Sequence, residues 1–318
     1  MMRSFLIYLS KAAWARRLIT ALPFALRTAR RFVAGETVEA ALQAVGDLNQ
    51  AGMLATLDLL GEDITDAAAA NEARLQIQQL LTRVEQSGLK SGVSIKLTQI
   101  GLKLDEAMCA QNLKAILDAA ATHGLFVRID MEDSPCVDAT LRLFHQVRAA
   151  GYENVGVVIQ SALYRSDSDV LALLQEGARI RLVKGAYMEP PEVAYPRKEG
   201  VDAAFDQQAD LMLHATFTPD LPRGKDDSWP PIAAIGTHDE KRIDFVKHHA
   251  EEIGLPKEHF EFQMLYGIRR QLQRQLVEQG YRVRIYVPFG RQWYPYFMRR
   301  LAERPANLWF FATNFFRR

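Results

Sequence analysis

Cysteine is scarce in this chain of 318 residues: Cys109 and Cys136 are too few for a disulfide framework or a four-cysteine zinc site. No Asn-x-Ser/Thr acceptor occurs, in keeping with an intracellular protein. No apolar run approaches the roughly 18 uncharged residues of a membrane-spanning helix. There is no G-x-G-x-x-G after a strand, no G-x-x-x-x-G-K and no H-E-x-x-H, so the usual signatures for dinucleotides, nucleoside triphosphates and catalytic zinc are missing. His248-His249 has no metal-type neighbour at useful spacing and is expected on an exposed helix face; no metal site is expected. Charge of one sign is lacking too, with 39 basic against 38 acidic residues, which argues against a nucleic-acid partner.

What is present is a globular composition, 48% hydrophobic and 24% charged, sufficient for one large domain or two ordinary ones. The near-neutral balance hides an asymmetry. Residues 1–31 hold seven basic side chains (Arg3, Lys11, Arg16, Arg17, Arg27, Arg30, Arg31) and no acid, leaving 32 basic and 38 acidic residues in the rest. Apolar residues such as Phe5, Leu9, Trp14, Leu18 and Leu22 are interspersed among these charges. The expectation is a basic, partly amphipathic helical arm over residues 1–50, lying on an anionic membrane surface or packed on the body with a solvated face. A targeting leader shares the Arg-rich, acid-free character, although Lys11 interrupts the apolar stretch and no small-residue cleavage site follows.

Over residues 51–318, apolar or β-branched runs alternate with helical stretches. Strands are predicted at 53–60, 93–100, 125–131, 155–159, 179–183, 232–235, 261–265 and 282–287. Helices are predicted at 68–86, 105–121, 136–150, 168–176, 201–216, 241–253 and 266–278. Several strands are apolar on both faces, as parallel strands covered by helices must be. Eight strands alternating with helices indicate an α/β fold of the closed (β/α)8 TIM-barrel type rather than an open sheet. The longest connection, between strands five and six, carries Arg223-Gly224-Lys225-Asp226-Asp227 and should be a surface loop.

Reactive groups in such barrels sit at the C-terminal strand ends. Those positions hold Lys96, Arg128, Asp130, Glu132, Gln160, Arg181, Lys184-Gly185, Thr237-His238-Asp239, Gln263 and Tyr286. Buried unpaired charge costs several kcal/mol, so these groups should pair with one another or with ligands. A purely internal network of Lys96, Asp130 and Arg181 is the plain alternative. Gathering all of them at one mouth favours a ligand site. Beyond the last strand, helical spacing brings Tyr296, Arg299, Arg300 and Glu303 together. Adjacent guanidiniums with aromatic walls suit a carboxylate, and Glu303 is placed to hold one of them.

Ser94-Ile-Lys-Leu-Thr98, Arg128-Ile-Asp-Met-Glu132 and Val158-Ile-Gln160 resemble the proline dehydrogenase family. So do Arg181-Leu-Val-Lys-Gly-Ala-Tyr187, Thr237-His238, Phe262-Gln-Met-Leu-Tyr-Gly267, Arg284-Ile-Tyr-Val-Pro-Phe-Gly290 and Tyr296-x-x-Arg-Arg-x-x-Glu303, in the family's order over roughly residues 35–307. The length fits the single-function bacterial type. The resemblance implies oxidation of L-proline to 1-pyrroline-5-carboxylate by hydride transfer to FAD, the first step of proline catabolism toward glutamate. It further implies a distorted barrel with a C-terminal helix over the mouth, and electron delivery to a membrane quinone. A cytoplasmic protein, peripheral at the inner face of the membrane, would follow.

By the same resemblance Lys96, Tyr286, Tyr296, Arg299 and Arg300 would line the proline site. Met131, Gln160, Arg181, Lys184, Gly185, Ala186, Thr237, His238 and Gln263 would contact FAD, and Asp130 and Arg181 would stand nearest the chemistry. The chain departs from the family at Asp239, often Asn; at Phe297, often Leu; and at Met188, aromatic in some relatives. The competing reading is a Schiff-base aldolase in which Lys96 or Lys184 attacks a carbonyl.

Overall fold

The computed structural model describes residues 8–9, 12, 14–15, 29–61, 64–216, 222 and 224–303, with Lys225 and Glu303 as backbone only. Arg3, Lys11, Arg16, Arg17 and Arg27 of the basic arm, Arg223, and the Glu303 side chain lie outside the described residues.

Eight strands, β1 (Leu54–Leu59), β2 (Ser91–Ile95), β3 (Val127–Ile129), β4 (Val155–Gln160), β5 (Arg179–Val183), β6 (Ala233–Gly236), β7 (Phe260–Leu265) and β8 (Arg282–Phe289), form a closed barrel in sequence order. All pairs are parallel, and β1 closes on β8 from Leu54 opposite Arg284 to Leu59 opposite Phe289. Around them run α1 (Val38–Gln50), α2 (Ala67–Ser87), α3 (Glu106–Thr122), α4 (Val137–Ala149), α5 (Ser166–Gln175), α6 (Lys198–Ala215), α7 (Glu240–Glu252), α8 (Arg270–Glu278) and α9 (Trp293–Glu303). The first turns are set by side-chain caps: Asp66 accepts from Ala69 N at 2.8 Å, and Asp105 from Ala107 N at 2.8 Å.

The main core lies between strands and helices, where Leu57, Ile95, Ile129, Val157, Leu182, Ile235, Phe262 and Ile285 meet Leu81, Leu113, Phe144 and Met212. α1 joins this core through Ala41, Ala44 and Val45. A second cluster sets Trp293, Tyr296, Phe297 and Leu301 of α9 against Leu60, Ile268 and Phe32, with Leu265 and Tyr286 alongside, so α9 covers the C-terminal strand ends.

All eight strands occur, with two boundary corrections. Strand two stops at Ile95, and Leu97–Ile100 forms a 3-10 turn that delivers Lys96 to the barrel mouth. The predicted helix at 266–278 begins at Arg270 instead, because Gly267 (φ +75) and Arg269 (φ +51) take left-handed conformations. A Cβ on Gly267 would sit 1.7 Å from the Arg31 carbonyl, so only glycine lets the segment 29–34 pass there. The connection between strands five and six is not wholly a surface loop. Its stretch Ser228–Pro231 closes the barrel floor, with Trp229 against Phe126 at 5.8 Å.

Candidate active site

Side chains alternate along each strand, so every second residue faces the barrel interior. At the mouth these inward positions carry charge. Lys96 donates to both oxygens of Asp58, at 3.0 and 3.1 Å, and to the Tyr286 hydroxyl at 3.4 Å. Tyr286 in turn donates to Asp130 Oδ2 at 2.7 Å. The other Asp130 oxygen accepts from Ser94 at 2.6 Å and from Arg181 at 2.9 Å. Arg181 also donates to Gln263, whose amide donates to Glu261. One polar chain thus runs from β1 across the barrel to β7, with the Arg181 guanidinium 5.3 Å from the centre of the Tyr286 ring.

Alternating signs make this desolvation tolerable, since each cation has a carboxylate in contact. Burial raises the Asp58 carboxyl above its ordinary range, with Lys96 opposing the rise and Asp130 adding to it. Burial and then the carboxylates of Asp130 and Asp58 hold the Tyr286 hydroxyl well above the ordinary phenol value, which keeps it a proton donor.

A second neighbourhood adjoins the first. Gln160 donates to the Glu132 carbonyl at 2.8 Å, and the Glu132 carboxylate accepts from Thr98 N at 3.1 Å and its hydroxyl at 2.5 Å. Met131 is buried beside them. His238 Nε2 accepts from Leu265 N at 2.9 Å, and Thr237 accepts from Asp239 N at 3.1 Å. Lys184 lies between Asp202 at 2.5 Å and Asp239 at 2.6 Å. Burial works to raise Asp239, but Lys184, Lys198 and the Lys241 N–H together outweigh it and hold this carboxyl at about 2. Asp239 also caps α7 by accepting from Lys241 N at 3.1 Å. The departure from the family's Asn therefore supplies a charge partner for Lys184. Gly185 (φ +109) follows, where a Cβ would meet Ala162 and the Gln160 amide oxygen at 3.2 Å, and Ala186 is half-buried. Met188 is exposed.

Over the mouth, α9 buries Tyr296 and Arg300, whose guanidinium lies 5.0 Å from the centre of the Tyr296 ring. Arg299 is half-buried on the same helix.

Two residues change place relative to the sequence reading. Arg128 does not reach the mouth: it lies one layer below Asp130 and donates to the carbonyls of Val157 (3.0 Å) and Arg179. Asp58 was missed, though a single acid in Leu-Ala-Thr-Leu-Asp-Leu is the signal that could have found it. Lys96 contacts Asp58 and Lys184 contacts Asp202 and Asp239, so neither stands alone at the mouth as the Schiff-base reading expects.

A closed parallel barrel with charged side chains at its mouth is the architecture of a (β/α)8 enzyme. The family model described as proline dehydrogenase matches residues 41–313, and the chain belongs to that family. It is 41% identical over 280 residues to proline dehydrogenase 1 of Bacillus subtilis, covering 88% of this chain and 87% of the relative. Proline dehydrogenase of Deinococcus radiodurans is 44% identical over 284 residues, with the same coverages of 88% and 87%. These relatives are single-function bacterial proteins. The crystal structure of proline utilization A from Bdellovibrio bacteriovorus, inactivated by N-propargylglycine, superposes with a TM-score of 0.78 at 26% identity. The match covers 88% of this chain, which spans 33% of that longer one.

Proposed function

We propose that this protein oxidises L-proline to 1-pyrroline-5-carboxylate with FAD as the hydride acceptor. The observation that carries the reading is the polar chain Asp58–Lys96–Tyr286–Asp130–Arg181 lying under the Tyr296–Arg300 pair, in a chain of this family.

The donor set fits a flavin nucleotide. Arg181, Gln160, Gln263, Thr237 and His238 offer cationic and neutral hydrogen-bonding groups at adjoining strand ends. The Gly185 turn lets backbone approach where a side chain would crowd. Bound there, FAD supplies the two-electron acceptor chemistry.

The rest falls to the chain's own residues. Arg300 and Arg299 face the substrate carboxylate with paired N–H donors, and Lys96 adds a third cation from the barrel side. Tyr296 and Tyr286 wall the pyrrolidine ring and exclude water. Asp130 already accepts from Ser94, Arg181 and Tyr286, so it works as a positioning residue rather than as a base. Arg181, fixed on two sides by Asp130 and Gln263, presents a positive charge toward the flavin position. The amine loses its proton before hydride leaves, so activity rises with pH through the amine's titration.

The basic part of the expected 1–50 arm, residues 1–31, is proposed to bring the barrel to an anionic membrane surface on the cytoplasmic side, where a quinone takes the electrons; α1 packs on the barrel core instead. No helix of the described residues is long and apolar enough to cross a membrane. Cosedimentation with anionic vesicles should fall on deletion of residues 1–31; unchanged cosedimentation would remove this part. The oxidation itself is tested by bleaching of the flavin spectrum on anaerobic addition of L-proline.

A further inference from the structure

On the outside of the barrel, α6 and α7 lie side by side. Asp202, Asp206, Asp210 and His214 recur at four-residue spacing and form one stripe along α6. Toward the mouth, cations neutralise that stripe: Arg242 meets Asp202 at 3.2 Å and Asp206 at 2.7 Å, and Lys184 meets Asp202. At the far end Asp210 meets two imidazoles instead. His214 Nδ1 lies 3.2 Å from Asp210 Oδ1, and His249 Nε2 of α7 faces the same oxygen. One nitrogen of each imidazole and one oxygen of Asp210 fall within 4.8 Å of one another.

His249 is held in place on α7, with its Nε2 facing Asp210 Oδ1. The rest of its ring is fixed, with Phe245 stacked on it at 5.8 Å and 6° and Glu252 Oε2 3.4 Å from Nδ1. A carboxylate behind an imidazole is the usual outer support of a metal-bound histidine. Ligand atoms of a tetrahedral zinc site, each about 2.0–2.1 Å from the ion, stand roughly 3.3 Å apart. The His214–Asp210 separation of 3.2 Å has that spacing; His214 Nδ1 also meets the Asp210 carbonyl at 3.0 Å, and the closer His249–Asp210 contact has to open for an ion to enter.

We propose that Asp210, His214 and His249 form a binding site for a divalent transition ion of the zinc class, which staples α6 to α7. Two imidazoles and one carboxylate select Zn2+, Co2+, Ni2+ or Cu2+ over Mg2+ and Ca2+. The ligands come from the C-terminal ends of both helices, so the ion sits toward the barrel floor and acts on stability, not on turnover.

The test titrates the full chain with Zn2+ against a chromophoric chelator, follows the thermal midpoint, and compares His214→Ala/His249→Ala with the parent. The expected result is one ion per chain and a midpoint raised by roughly 3–5 °C at about a hundredfold excess over Kd. Proline-dependent flavin reduction should be the same with and without the bound ion. The double variant should bind at least about tenfold more weakly and lose the shift. His249→Gln, which keeps a polar contact to Asp210, repeats the loss if the double variant folds poorly, and His248→Ala leaves binding intact. Zn2+ affinity in the double variant or His249→Gln equal to the parent's, or no saturable binding by the parent below about 1 mM, overturns the proposal.

Discussion

At the floor of the barrel, arginines spend most of their donors on backbone carbonyls, whereas at the mouth the cations spend theirs on side chains. Arg179 donates to the carbonyls of Pro222 and Pro230, and Arg284 to those of Ala55 at 3.1 Å and Ser228 at 2.8 Å. Arg128 donates to Val157 and Arg179 and lies over the Phe126 ring at 5.1 Å. Two carboxylates join them: Glu261 accepts from Arg284 at 2.7 and 3.1 Å, and Asp227 accepts from Arg282. A cation bound to carbonyls is fixed by the secondary structure itself and closes the barrel end. A cation bound to side-chain carboxylates and amides, as Lys96 and Arg181 are, stands where an anionic ligand can add to its partners. Buried charge in the same barrel therefore does two jobs, and the destination of each donor separates them.

The largest expected effect is at the floor. Glu261→Ala strands Arg284 without its counter-ion and should destabilise the fold by roughly 3–5 kcal/mol in chemical denaturation, with KM changed far less than stability because Glu261 meets the mouth only through Gln263. At the mouth the pattern inverts. Arg300→Ala should weaken proline binding by roughly 2–5 kcal/mol, read as a raised KM with the thermal midpoint nearly unchanged. Wild-type kinetics in that variant would remove the carboxylate clamp. The smallest effect is expected in acid. The depressed Asp239 carboxyl contributes stability that is fully present above its ordinary value of 3.8 and lost as pH falls through about 2. Asp239→Asn should therefore lose stability less steeply than the parent between those two values, and parallel curves would show that the Lys184 link contributes nothing.

Much of the mouth was legible because charge stands out in strands that are otherwise aliphatic. Lys96, Asp130, Arg181, Gln263 and Tyr286 all come together as the strand ends suggested. Period-two alternation told that Arg128 and Asp130 share a face but not that they occupy different layers, which depends on the stagger of neighbouring strands. Asp58 carried the same signal, one acid in an apolar strand, and was passed over, yet it anchors Lys96. The late start of α8 depends on the left-handed turn at Gly267, whose need is set by what packs against it. The Asp210–His214–His249 cluster had no sequence signal, since 35 residues separate His214 from His249 and only the packing of α6 on α7 joins them. The His248-His249 pair looked like an exposed face, and for His248 it is; His249 turns inward.

The most direct test is an anaerobic titration of the flavin-loaded protein with L-proline, followed in the visible spectrum, for the parent, Arg300→Ala and Glu261→Ala. The account predicts bleaching in the parent, bleaching only at much higher proline in the mouth variant, and parent-like bleaching in the floor variant at a temperature where it is folded. No bleaching in the parent, or a floor variant that needs as much proline as the mouth variant, would contradict it.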